Sequence, residues 1–80
     1  MVVVNIVEKF GMDDVLERSW ELPSAVIEPL RAHVEVAPGG WVVNVWPVTA
    51  QLAIIVQPWL DEPIDVESDS WFVSSAQVTA

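Results

Sequence analysis

The sequence predicts a small α+β fold: an antiparallel sheet of three or four strands with one or two short helices on one face, in the order ββαβ(α)β. Three observations carry this expectation. β-branched residues dominate Val2 to Phe10, and a turn signal separates them from a second alternating run. Pro23-Ser24 then opens a stretch in which apolar residues recur at helical spacing. Beyond it, the uncharged segment 36–60 is cut by Pro38, Pro47 and Pro58 into short elements.

The first strand places Val2, Val4, Ile6 and Phe10 on one face and Val3, Asn5, Val7 and Lys9 on the other. Gly11-Met12-Asp13-Asp14 reads as the turn. The second strand, Val15 to Leu22, sets Leu16, Trp20 and Leu22 against Glu17, Ser19 and Glu21, as in a hairpin with one wet face. A helix follows from Ser24 to about Val34, with Ile27, Leu30 and Val34 in phase and Ser24 as its cap. Pro29 conflicts with a helix interior, so the helix is expected to start late or to kink. Glu35 to Gly40 reads as a loop turning at Pro38-Gly39-Gly40. Trp41 to Trp46 reads as a third strand, stopped by Pro47.

Thr49 is a good N-cap, and Ala50-Gln51-Leu52-Ala53 favours helix, while Ile54-Ile55-Val56 favours strand. A short, largely buried helix ended by Pro58 is the preferred reading. Asp61 to Asp69 reads as an acidic loop, and Ser70 to Val78 as a final strand or irregular tail.

The 80 residues form a single domain, 1–80, with a modest core. Cysteine is absent, which removes disulfides and thiolate metal sites and fits a cytoplasmic protein. Compensation comes from 52% hydrophobic residues, including five tryptophans, so a folded domain is expected. The net charge of −9 argues against direct contact with nucleic acid and against anionic membranes. Segment 36–60 is long enough to raise the question of a membrane span, but its prolines, Gly39-Gly40, Asn44, Gln51 and Gln57 interrupt it and no base flanks it. Met1-Val2-Val3-Val4 lacks the basic start of a secretory signal.

Arg31 is the last lysine or arginine, and the remaining 49 residues hold six acids. Five of these are Asp61, Glu62, Asp65, Glu67 and Asp69, flanked by Trp59 and Trp71. Acids beside large aromatics suit a docking surface for a basic protein, and these seven residues are the candidate partner-binding site. A solvated acidic loop is the plainer alternative. Asp65, Glu67 and Asp69 have the spacing that opens a calcium loop, but Ser70 stands where glycine is needed and Ala76 where glutamate is needed, so no metal is expected. His33 is the only histidine and no serine lies in a nucleophile-elbow context; no enzyme and no cofactor are expected.

Three segments resemble small, poorly characterised bacterial proteins of the immunity type, which neutralise a cognate toxin. They are Ile6-Val7-Glu8-Lys9-Phe10 through Trp20-Glu21-Leu22-Pro23, then Trp46-Pro47-Val48-Thr49-Ala50, and Asp69-Ser70-Trp71-Phe72-Val73. The chain departs from a more ordinary polar helix at Ile54-Ile55-Val56. The resemblance implies an α+β fold and inhibition by direct occlusion, and it implies no catalytic residue. The expected function is therefore a non-catalytic protein-binding inhibitor, an immunity-like antitoxin that captures a basic toxin or nucleic-acid-binding enzyme. Two alternatives stay open: a phage-type DNA-mimic inhibitor of a host defence system, and a structural or oligomerisation module in which the valine-rich first strand or segment 36–60 pairs two copies into a homodimer.

Overall fold

A computed structural model describes residues 2–67 and 70–78. Four strands, β1 (Val2–Phe10), β2 (Leu16–Leu22), β3 (Trp46–Pro47) and β4 (Ser70–Val78), form one antiparallel sheet in the order β2-β1-β4-β3. Two short helices, α1 (Ile27–Leu30) and α2 (Ala50–Val56), pack on one face. The α+β class and the element order are as the sequence predicts.

The β1–β2 turn closes with Gly11 N donating to Val15 O (3.0 Å) and Asp14 N to Gly11 O (3.1 Å), and Asp14 takes φ 55°, a conformation Asp tolerates. A bulge between Lys9 and Phe10 then alters the pairing. Lys9 faces Arg18, but Phe10 faces Leu16, so Leu16 leaves the face of Trp20 and Leu22 and is 48% exposed. The grouping of Leu16 with Trp20 and Leu22 is thus corrected by one extra residue in β2.

Pro29 shapes the next element. A 3-10 turn, Ser24–Val26, precedes α1, so Pro29 falls in the first α-helical turn, where its missing N–H costs no helix bond. Ser24 makes no side-chain cap hydrogen bond, and the helix does not reach Val34; turns cover the interval instead.

The predicted strand over 41–46 is not one strand. Asn44 sits at φ 70°, which turns the backbone out of the extended path. Before it, Val36 and Val42 form an isolated bridge around a tight turn: Gly40 N donates to Ala37 O (2.9 Å), and Gly40 has φ 88°. After it, only Trp46 and Pro47 pair with β4. Thr49 does cap α2, accepting from Leu52 N at 3.2 Å, and the helical reading of this segment holds. Leu52 and Val56 are buried, but Ile54 is 76% exposed, so the helix is less buried than expected. A 3-10 turn containing Pro58, Gln57–Trp59, ends it. No helix among the described residues is long and apolar enough to cross a membrane.

The core lies between the helices and one sheet face. Val7, Trp20, Leu22, Trp71 and Val73 from the sheet meet Val26, Ile27, Leu30, Leu52 and Val56. Burying each aliphatic side chain contributes about 1.5–3 kcal/mol. Asn5 is also buried on this face. Its Oδ1 accepts from Val42 N (2.8 Å), and its Nδ2 donates to Gly40 O (3.1 Å). Ser75, paired with Asn5 across the ladder, donates to Val42 O (2.8 Å). Two side chains thereby satisfy the backbone of a residue that has no strand neighbour there, and fix the 36–42 hairpin to the sheet.

Asn5→Ala strands the buried Val42 N–H and removes the Gly40 bond, so it is expected to lower stability by about 2 kcal/mol or more, against about 1 kcal/mol for Ser75→Ala. Urea unfolding followed by tryptophan fluorescence checks both values; equal, negligible losses would refute the clamp.

Candidate functional site

The described part of the acidic segment, 61–67, is a strap across one end of the core. Two cations wait for it on the sheet. Lys9 and Arg18 are cross-strand neighbours on the helix-covered face, and each lies over an indole: Arg18 is 4.4 Å from the Trp20 ring centroid and Lys9 is 5.5 Å from that of Trp71. The two indoles stack on each other, with centroids 5.6 Å apart and planes 16° apart. Such contacts contribute about 0.5–1.5 kcal/mol each beyond area burial.

Asp61 and Glu62 close over this stack. Asp61 Oδ1 accepts from Trp20 Nε1 (2.8 Å) and pairs with Arg18 Nη2 (2.9 Å). Glu62 binds Lys9 Nζ through Oε2 and Arg18 Nη1 through Oε1 (3.1 Å). Glu17 also pairs with Lys9, at 3.6 Å. The strap's backbone is stitched down as well. Gln57 donates from Nε2 to Glu62 O (2.8 Å) and accepts from Ile64 N (2.9 Å), and Trp71 Nε1 donates to Asp65 O (3.1 Å). Both carboxyls are held below the ordinary carboxylate range, Asp61 chiefly by the hydrogen bond from Trp20 and Glu62 chiefly by that from Lys9, against a smaller opposing effect of desolvation.

This geometry divides the seven candidate residues. Asp61 and Glu62 are engaged with the chain's own cations. Trp71 is 3% exposed in the core, so it offers no surface to a partner, contrary to the expectation for it. Asp65 and Glu67 are exposed, and the Asp65 carboxylate accepts from Glu67 N (3.1 Å). Trp59 is 45% exposed. Asp69 lies outside the described residues. No pocket is enclosed among the described residues.

The second surface feature is the other face of the sheet. No hydrophobic residue there belongs to the core cluster or packs against it, although Ser74 is buried at 5% exposure and Val4, Ile6, Glu8, Phe10, Phe72 and Ala76 are half-buried. Cross-strand pairing fixes its rows: Leu16 beside Phe10; Ser19, Glu8, Phe72 and Pro47; Glu21, Ile6 and Ser74; Val4 and Ala76; Val2 and Val78. These are the very residues of β1 that look most like a core face in sequence. The signal that locates them outside is the Asn5 and Lys9 pair on the opposite face, whose partners are distant in the chain.

The sequence matches no protein-family model and no curated protein.

Because the folded-state carboxyls of Asp61 and Glu62 are more acidic than in the unfolded chain, their contribution to stability is complete above the ordinary carboxylate range and is lost as the pH falls through about 5 and below. In the double variant Asp61→Asn, Glu62→Gln the drop in unfolding free energy across that window is expected to be smaller than in the wild type. Parallel denaturation curves at neutral and acidic pH measure it; identical pH profiles would disprove the strap's role.

Proposed function

We propose that the protein is a non-catalytic inhibitor of the immunity type, which captures a basic partner protein and occludes its working surface. The observation that carries this reading is the disposition of charge. The chain has three bases against twelve acids, and each base sits in an ion pair with the chain's own acids: Lys9 with Glu17 and Glu62, Arg18 with Asp61 and Glu62, Arg31 with Glu28. Asp13, Asp14, Glu21 and Glu35 take part in no ion pair among the described residues. Such a surface attracts a basic partner at long range and speeds encounter, while repelling nucleic acid. In the immunity-type role the partner is a toxin, and a nuclease with a phosphate-binding cleft has the required charge.

The acids lie on the β1–β2 turn, on β2, after α1 and on the strap, on different elements and not in one row. That spread favours steering over imitation of a phosphate backbone, and DNA mimicry is not adopted.

The experiment is affinity capture from source-cell lysate, followed by association kinetics with the captured protein. A basic protein is expected whose association rate falls about tenfold or more between low and high ionic strength, as the Debye length shrinks from about 30 Å to about 3 Å. The variant Asp13→Asn, Asp14→Asn, Asp65→Asn, Glu67→Gln should associate more slowly and show a shallower salt dependence. A rate indifferent to salt, or to these four replacements, would overturn the electrostatic reading.

A further inference from the structure

The uncovered sheet face carries a specific surface, and its chemistry selects an occupant. Along β1 and β4 it presents Val4, Ile6, Phe10, Phe72 and Ala76, with Phe10 and Phe72 edge to face at 5.7 Å and 77°. Two carboxylates interrupt and border this column. Glu8 stands in the middle row beside Ser19, accepting from Ser74 Oγ at 3.4 Å, and Glu21 lies opposite Ile6. Both bases of the sheet, Lys9 and Arg18, lie on the other face under the strap. The surface is therefore apolar with two carboxylates, Glu8 inside the β1 row and Glu21 beside it on β2, and it has no base among the described residues.

That asymmetry decides between occupants. A second copy docked face to face would bring Glu8 and Glu21 to a surface that holds two more carboxylates and no cation to answer them, and like charges about 4 Å apart repel by about 4 kcal/mol near a protein surface. A partner that carries lysine or arginine beside apolar residues satisfies both features of the surface. The β1 row from Val2 to Phe10, apolar except at Glu8, runs about 26 Å, the length of about five helical turns. The opposite face of the same sheet is already covered by helices.

We propose that this face docks an amphipathic, basic helix of the partner protein, its apolar side chains over Phe10, Ile6 and Phe72 and its cations reaching Glu8, which stands among them, and Glu21 beside them. The proposal rests on the reading of the protein as a binder of basic partners, and it moves the contact from the acidic strap to the sheet.

The test uses the full chain, isotope-labelled for NMR, titrated with a synthetic helical peptide of leucine and lysine about 18 residues long. Two control peptides replace leucine by serine, or lysine by glutamate. The leucine–lysine peptide is expected to bind with shifts at Ile6, Phe10, Phe72 and Glu21, and both controls to bind at least about tenfold more weakly. Glu21→Lys, an exposed edge position, should weaken binding by a similar factor, as should Phe72→Ser. Shifts confined to 61–67, or equal binding of the serine control, would overturn the docking site while leaving capture of a basic partner standing. No binding of any peptide would overturn the helix as occupant. Sedimentation of the wild type as a dimer that Phe72→Ser makes monomeric would assign the face to a second copy and overturn the proposal.

Discussion

Two carboxylates on adjacent residues hold two cations against two stacked indoles, and much of the structure is arranged around that closure. Lys9 and Arg18 occupy the helix-covered face of the sheet, where an unanswered charge would be costly. Their stems and head groups cover Trp20 and Trp71, and the strap then answers the charge with Asp61 and Glu62. The strap also draws the end of α2 toward β2, because Gln57 binds its backbone from both sides. An electrostatic contact between residues more than forty positions apart thus sets where the chain returns to the sheet for β4.

A second constraint is economy. Eighty residues supply one helical layer, and one layer covers one face of a four-stranded sheet. The covered face tolerates the polar Asn5 because the hairpin backbone at Gly40 and Val42 uses its whole amide. The opposite face keeps Val2, Val4, Ile6, Phe10, Phe72 and Val78 half-buried or exposed. The polar residue is inside because it has partners, and the apolar ones are outside because no further element among the described residues covers them.

How much of this was legible in the sequence follows from the range of each interaction. Period-two alternation, the turn at Gly11–Asp14 and the Thr49 cap are local, and β1, β2 and α2 could be read from them. Pro29 marked its helix start for the same reason. The broken strand at 41–46 depended on the left-handed conformation of Asn44, which an asparagine permits without announcing it. The displacement of Leu16 depended on a one-residue bulge, invisible in composition. The acidic segment misled most. Its density of charge suggested a partner outside the molecule, whereas Asp61 and Glu62 find Lys9 and Arg18 inside it. Trp71 looked like a flanking anchor because its stacking partner, Trp20, is fifty-one positions away.

The place of β4 in the sheet also bears on how the chain is made. On the ribosome, β1 and β2 emerge first, while the exit tunnel still holds the later elements as β4 is synthesised. During that interval β1 has one edge bare, β3 has no neighbour, and the indole of Trp20 has nothing to stack on. Strand pairing over such a span is slow to form and offers an open edge to other nascent chains. The nascent protein therefore has an aggregation-prone period that ends only when Ser70–Val78 inserts between β1 and β3, and a synonymous codon change that slows translation just before Ser70 would lengthen it.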